Sequence, residues 1–289
     1  MHDNPPTAPA VNFALPDHRV ISLGGRDAVA FAQAQFMNDV NAIASGHWQW
    51  NGWLTPKGRV IALFALLRID DETVWLLLPD ADPASMVAAL QRFVFRSKVV
   101  IAVRDDLEVC AAFAAPDDAC GARLGTSEVG VVELDMGGEG GTRRLRIGVD
   151  AAGGDEALLA RWIAFDLLHG LPRLPAAQVE YWTPQQLSLE RLHGFSVKKG
   201  CYPGQEIVAR THFLGKAKRG LALLDADAPL AVGAEVRDGD TLLGSVIASA
   251  SVSGRHLGLA VLPNERVLVG ASAGGIAVRE LPIGEGLAR

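Results

Sequence analysis

The hydrophobic pattern of the chain changes close to residue 215, and this change limits the possible fold more than any other feature. Before it, apolar runs with strand spacing alternate with stretches whose apolar residues recur every three or four positions. After about Arg219, short apolar segments are separated by Gly, Asp and Ser turns, with no clear helical period. The sequence therefore predicts an α+β region at 10–214 followed by a small C-terminal β-barrel domain at 215–289.

The first region contains predicted strands and helices in an order typical of α+β proteins. Val29, Phe36 and Val40 share one face of a predicted helix that starts near Asp27, and Pro83 suits the first turn of another. We predict helices at 27–43, 83–96 and 155–168, and strands at 20–23, 48–54, 60–67, 73–78, 98–103, 107–113, 129–134 and 143–149. The part at about 55–115 is predicted to form a ferredoxin-like α+β subdomain.

Charge, hydropathy and cysteine content exclude several classes of protein. The net charge of −6 disfavours general nucleic-acid binding. No apolar run reaches the roughly 18 residues that a membrane-spanning helix needs, and residues 1–16 do not resemble a secretory signal. The three cysteines, Cys110, Cys120 and Cys201, include no CxxC pair, which argues against a disulfide framework or a metal site. We expect a cytoplasmic protein without bound metal or direct membrane contact.

Basic residues are concentrated in one segment of this acidic chain. Residues 191–220 contain seven lysines and arginines and a single acidic residue, Glu206. Such a segment predicts either a site for an anionic ligand or simply a solvated charged face, and the second is the more common case for charge runs.

The most informative stretch surrounds Cys201 and reads KGCYPGQE over residues 199–206. Gly200 and Gly204 permit tight backbone geometry, and Pro203 suits the first turn of a short helix. The cysteine therefore precedes a helix N-terminus, with two lysines just upstream, and both features place positive potential near the sulfur. The residues alone leave two interpretations open, a reactive thiolate and a small buried apolar side chain.

These eight residues resemble the K-G-C-[FY]-x-G-Q-E signature of the YgfZ family, and Arg210 matches the arginine that follows it. Further similar segments are PQQLSL at 184–189, where Ser188 replaces the usual asparagine, and the stretches at 38–40, 54–58 and 213–219. The resemblance implies an aminomethyltransferase-like folate-binding fold, with subdomains around a central channel. It also implies tetrahydrofolate or a derivative as cofactor, and iron–sulfur proteins or their assembly machinery as partners.

The resemblance also assigns residues to the site. Cys201 is the predicted functional residue, and Trp162 matches a tryptophan associated with folate. Asp166 lies two positions before Leu168, which replaces the family's pterin-binding glutamate, and His18 aligns with a tryptophan near the cofactor. The other predicted cofactor contacts belong to the signature and its continuation: Lys199, Tyr202, Gln205, Glu206 and Arg210.

Three functions remain open from the sequence. In the related transferases a G-x-x-D-D motif supplies a carboxylate beside the reacting folate nitrogen, but residues 58–62 here read GRVIA. The leading hypothesis is therefore a folate-binding accessory protein that supports iron–sulfur cluster assembly or repair and the tRNA modification that depends on it. The alternative is a folate-dependent one-carbon transferase on an unknown substrate. An RNA-binding module using the basic segment is the weakest, because no aromatic stacking pattern accompanies the charge.

Overall fold

A computed structural model describes residues 11–148, 153–215 and 217–289 of the chain. The strands are β1 Phe13–Ala14, β2 Arg19–Gly24, β3 His47–Leu54, β4 Val60–Arg68, β5 Thr73–Leu78, β6 Val100–Val103, β7 Val109–Ala112, β8 Val132–Asp135, β9 Arg144–Ile147, β10 Arg219–Ala226, β11 Glu235–Asp238, β12 Thr241–Val252, β13 Arg255–Pro263, β14 Ala271–Ala273 and β15 Ile276–Leu281. The α-helices are α1 Ala28–Gln35, α2 Pro83–Gln91, α3 Glu156–Leu168 and α4 Gln205–Leu214, and short 3-10 turns lie at Val40–Ala42, Ala176–Gln178 and Leu189–Leu192.

The strands before α3 form two antiparallel sheets. The first has the order β3-β4-β5-β2-β6, and α1 and α2 bury Phe31, Met86 and Leu90 in the core they share with it. The second has the order β1-β7-β9-β8. The strands within 55–115 are thus divided between the two sheets, because β4, β5 and β6 lie in the first and β7 lies in the second. Strand β2, which precedes that range in the sequence, also belongs to the first sheet.

Two predicted helices are shorter in the structure. The helix predicted at 27–43 ends at Gln35, because Phe36 is extended and pairs with Trp53 on the edge strand β3. The helix predicted at 83–96 ends at Gln91. Its start is as predicted, with Pro83 in the first turn and the Asp82 side chain accepting a hydrogen bond from the Ser85 amide.

The last six strands close into a barrel in the order β10-β13-β12-β11-β14-β15, which confirms the predicted C-terminal barrel. Strand β10 is apolar on both faces. Ala222 and Leu224 point into the barrel core, whereas Leu221 and Leu223 join a larger core outside it. The strand therefore alternates between two cores rather than between core and solvent.

That larger core joins the second sheet, α3, the barrel and one face of the first sheet. Trp48 of β3, Leu145 of β9, Trp162 of α3 and Leu259 of β13 all belong to it, and all are fully buried. Burial of so much apolar surface between elements distant in sequence holds the subdomains together. Within the described residues, no helix is both long enough and apolar enough to cross a membrane.

Candidate functional site

The loop that carries Cys201 is exposed, and hydrogen bonds within the KGCYPGQE segment fix its conformation. Cys201 lies on the surface, and α4 begins four residues later at Gln205. The Gln205 side chain donates from Nε2 to the Lys199 carbonyl at 3.0 Å, and its amide donates to the Tyr202 carbonyl at 3.2 Å. These bonds join the two ends of the loop across the cysteine, so the thiol is held on an ordered turn.

The turn that follows β3 packs against this loop. Gly204 has φ +80° and Gly58, in the turn after β3, has φ +68°. A Cβ built on Gly204 would lie 2.6 Å from the Thr55 carbonyl oxygen and 2.7 Å from Gly58 Cα. Both glycines are required because a side chain fits neither the left-handed backbone nor the space between the segments.

Lys199 is directed into the protein rather than toward a ligand. Its ammonium donates to the carbonyls of Gln33 at 2.5 Å, Phe36 at 2.6 Å and Asn38 at 3.1 Å. Burial lowers the pKa of Lys199 to about 8, and the nearby charge of Asp39 opposes that shift. All three N–H donors of the ammonium are thus occupied by backbone carbonyls in the last turn of α1 and just after it. This differs from the predicted cofactor-binding role.

Tyr202 is also a structural residue in this geometry. Its ring is buried in the large core, 5.0 Å from the Lys199 ammonium, and its hydroxyl donates to the Ser196 carbonyl at 3.0 Å. Burial raises the pKa of the phenol, so it remains neutral and a donor. Tyr202 and Lys199 thus anchor the loop, whereas the predicted role was contact with a cofactor.

Glu206 and Arg210 lie on the exposed side of α4, four residues and one helical turn apart. Lys198 is exposed beside the loop as well. These are the charged groups of the signature region that remain open to a ligand or partner. Chemically, the loop presents one exposed thiol, which can act as a nucleophile or as a soft metal ligand.

Trp162 and Asp166 belong to a different, completely buried group. Trp162 is 0% exposed, and the Arg143 guanidinium lies over its ring with Cζ 4.0 Å from the centroid. Asp166 pairs with Arg143 at 2.9 Å through one oxygen and with Arg173 at 2.8 Å through the other. Arg173 in turn pairs with Asp80 at 3.3 Å. Burial lowers the pKa of Arg143 to about 10, and the Asp166 charge opposes that shift.

This arrangement does not fit the predicted pterin site. A pterin would need a free aromatic face and a free carboxylate, but the face of Trp162 carries Arg143, and both oxygens of Asp166 are ion-paired. Asp166 is therefore an internal counter-ion, and Trp162 is a core residue.

His18 lies close to this buried group and lines a cleft of about 370 Å³. It is 7% exposed, and its Nδ1 is buried without a hydrogen-bond partner among the described residues. Burial, followed by the charges of Arg173, Arg143 and Arg19, lowers the pKa of the imidazole well below 6.5. A neutral imidazole at the edge of a cleft could contact a ligand, so the predicted role of His18 stays a prediction.

The predicted site residues thus form two separate groups. The first is the cysteine loop with α4, and the second is the buried group around Asp166. Throughout the described ranges, no hydrogen bond, ion pair or ring contact joins a member of one group to a member of the other. The same part of the chain contains no group of three or more His, Cys, Asp or Glu residues arranged to hold a metal ion.

The buried cations could not be identified from the sequence. Arg143 and Arg173 determine what Asp166 can do, yet they lie in different segments from it. One signal was present, because Asp166 lies in the apolar stretch WIAFDLL of α3, and a carboxylate buried there requires a cationic partner. The sequence indicates that such a partner exists but not which arginine provides it.

Comparison with solved structures identifies a similar fold. The fold is similar to that of the glycine cleavage system aminomethyltransferase T from Bartonella henselae, with a TM-score of 0.73 and 13% identity. The similarity covers 94% of this chain and 84% of the other. The predicted aminomethyltransferase-like fold is confirmed.

Comparison of sequences identifies similar proteins of the YgfZ type. The chain is 28% identical over 267 residues to the tRNA-modifying protein YgfZ of Vibrio vulnificus, covering 85% of this chain and 82% of that protein. It is 26% identical to the Klebsiella pneumoniae YgfZ protein, with 96% of each chain covered. Identity to an Escherichia coli YgfZ protein is 29%, covering 78% of this chain and 76% of the other. No family model matches. The predicted resemblance to the YgfZ family is confirmed over most of the chain.

Proposed function

We propose that this chain is a YgfZ-type accessory protein that supports iron–sulfur enzymes, including those that modify tRNA, through the thiol of Cys201. The observation that carries the proposal is the exposed cysteine on a loop fixed by Lys199, Gly204 and Gln205. Ordering a surface loop in this way costs conformational entropy, which the hydrogen bonds of Lys199 and Gln205 offset, and the ordered loop presents the thiol in one geometry.

The other two cysteines lack this setting. Cys110 is 1% exposed in β7, where burial raises the pKa of its thiol and disfavours the reactive anion. Cys120 is exposed, but it lies in a short turn whose backbone pairs with Arg123. Cys120 is therefore a suitable control for chemistry that needs only an accessible thiol.

A single thiol sets the kind of intermediate that the site could handle. Cys201 could bind one soft electrophile, such as a sulfur, iron or one-carbon species, but a bound cluster would need further ligands from a partner. Iron–sulfur proteins or their assembly machinery are the proposed partners. The cytoplasm is the proposed location, since a free reactive thiol suits a reducing compartment.

Tetrahydrofolate remains the proposed cofactor because of the fold, and when bound it would supply one-carbon chemistry. The buried positions of Trp162 and Asp166 do not fit its pterin, so we assign no step to it. The one-carbon transferase alternative gains no support at the turn after β3. Arg59 lies there and donates to the Tyr181 carbonyl at 2.8 Å, and the next residue, Val60, is a buried core residue.

The test is complementation in a bacterial strain lacking its own YgfZ protein, with the level of an iron–sulfur-dependent tRNA modification as readout. We expect Cys201→Ala and Cys201→Ser to abolish rescue while the proteins remain folded. Cys120→Ala should rescue fully. Rescue by Cys201→Ala at wild-type level would remove the thiol from the function.

A further inference from the structure

The turn between α2 and β6 carries two exposed aromatic rings. Phe95 is 92% exposed and Phe93 is 49% exposed, although phenylalanine is among the residues most often buried. The ring of Phe93 meets that of Trp53 edge-on, with the two centroids 6.3 Å apart. Between the two phenylalanines, Val94 packs against the core of the first sheet. The turn is therefore anchored from beneath while both rings remain open to solvent.

The same turn is basic and carries no carboxylate. From the start of α2 to the end of β6, the only charged residues are Arg92, Arg96 and Lys98, in a chain whose net charge is −6. All three are exposed, and no ion pair involves their side chains within the part of the chain that the structure describes. Arg26 lies beside them, because the carboxylate of Asp27 accepts the Lys98 amide at 2.6 Å and pairs with Arg26 at 3.7 Å.

Rings and cations alternate along this turn, which reads RFVFRSK over residues 92–98. A single strand of nucleic acid has a matching alternation, since its bases stack on aromatic faces and its phosphates pair with arginine and lysine. A base must be unpaired to stack on a protein ring, so a duplex does not fit in this way. A protein partner or a bilayer favours one continuous apolar face instead, and here each exposed ring directly adjoins an arginine.

We propose that the turn at residues 92–98 binds a single strand of nucleic acid, stacking bases on Phe93 and Phe95 and holding phosphates with its three cations. The negative charge of the whole chain does not oppose this locally, because salt screens surface charges beyond roughly 8–10 Å. The site lies outside the basic segment at 191–220. It is also independent of Cys201, so the complementation test of the thiol and the binding test below can fail separately.

The test is fluorescence anisotropy of a labelled oligouridylate of about 12 nucleotides, titrated with the purified full-length protein at about 50 mM salt. Phe95→Ala should weaken binding at least about fivefold, because one stacked base loses its platform. Phe213→Ala is the matched control, since it removes a ring that is 66% exposed on α4. It should leave the dissociation constant unchanged. Both rings lie at the surface, and circular dichroism checks that the variants fold.

The electrostatic part is tested by the dependence of binding on salt. Each phosphate contact to a single strand contributes about −0.7 to the slope of the logarithm of the association constant against the logarithm of the salt concentration. Arg96→Gln should make the slope shallower by about this amount. Arg161→Gln, which changes an exposed arginine of α3, should leave it unchanged. Oligothymidylate of the same length shows whether the strand is RNA or DNA, and binding of either supports the proposal.

Three results would overturn the proposal. The first is a wild-type protein that binds neither strand at low salt. The second is an equal affinity of Phe95→Ala and Phe213→Ala for the strand, which would place binding elsewhere on the protein. The third is sedimentation with phosphatidylglycerol vesicles that Phe95→Ala abolishes, without binding of the oligonucleotides. That result would assign the turn to a membrane surface instead.

Discussion

Gly204 and Gly58 lie backbone against backbone at the base of the cysteine loop. A Cβ on Gly204 would approach Gly58 Cα to 2.7 Å, and a Cβ on Gly58 would approach Ile207 Cβ to 2.8 Å. The contact joins two segments far apart in the sequence, the turn after β3 and the start of α4. The position of Cys201 therefore depends on the turn at 55–58 as well as on its own loop.

The first prediction follows from this contact. Gly204→Ala should lower the free energy of unfolding by about 2–3 kcal/mol, because the new methyl group meets backbone atoms and the left-handed conformation disfavours a side chain. Gly200→Ala is the matched control, since a Cβ added there would meet no atom within 4 Å and its φ lies outside the left-handed region. Urea unfolding of both variants measures the difference. Equal stability of the two variants would contradict the proposed role of the contact.

The second prediction concerns the buried ammonium of Lys199. Lys199→Met should lower the free energy of unfolding by about 2–4 kcal/mol, because three backbone carbonyls lose a charged donor in a buried place. Lys198→Met removes an adjacent, exposed lysine and should change stability by less than about 0.5 kcal/mol. Denaturant unfolding compares the two. A Lys199→Met protein as stable as Lys198→Met would show that the three bonds contribute little.

The bonds of Lys199 also explain why the end of α1 could not be predicted from the local sequence. The apolar pattern predicts that the first helix continues to residue 43, yet it ends at Gln35. The carbonyls of Gln33 and Phe36 bond instead to an ammonium more than 160 residues further along the chain. A periodic apolar pattern indicates which face of a helix is buried. It does not indicate where the helix ends, because a residue distant in sequence can donate hydrogen bonds to the carbonyls there.

Strands were predicted more closely than this helix. The strand predicted at 73–78 is observed as Thr73–Leu78, and the strand predicted at 60–67 is one residue longer. Such strands have apolar residues in an uninterrupted run bounded by turn residues, so local sequence defines both ends. The hydrophobic pattern did not predict which strands form which sheet, because strand pairing depends on contacts between segments distant in sequence.

The sequence predicted where the loop of the candidate site lies in the fold, but it did not predict the directions of the side chains on that loop. The signature places Cys201 on a loop before a helix, as the structure has it. Lys199 and Tyr202 were predicted to meet a ligand, yet both point inward. Neighbouring residues in a tight loop face opposite ways, and the sequence does not state which of them faces the core.

The third prediction concerns Ser188, which links the first region to the barrel. Its hydroxyl oxygen accepts the Leu221 amide of β10 at 3.0 Å. Ser188→Ala should lower the free energy of unfolding by about 1–2 kcal/mol, because that partly buried amide loses its acceptor. Ser251→Ala, on an exposed part of β12, should have little effect. Thermal unfolding compares them, and equal midpoints would mean that the amide finds another partner.

The last prediction is a pH dependence that arises from His18. Burial and three nearby arginines lower the pKa of this imidazole in the folded protein, whereas the unfolded chain has the ordinary value of 6.5. Below pH 6.5 the unfolded state therefore binds a proton that the folded state does not, so the free energy of unfolding falls as the pH falls. The slope approaches at most about 1.4 kcal/mol per pH unit.

Urea unfolding of the wild type and of His18→Gln, from about pH 7.5 to about pH 5, isolates this contribution. Other groups titrate in both proteins, including Asp80, whose pKa is raised by burial, so the difference between the two profiles belongs to His18. We expect the wild type to lose more stability than His18→Gln on acidification. His212→Gln, on the exposed end of α4, should follow the wild-type profile. Parallel profiles for the wild type and His18→Gln would mean that the buried imidazole accepts a proton without cost, which its burial and the surrounding arginines should prevent.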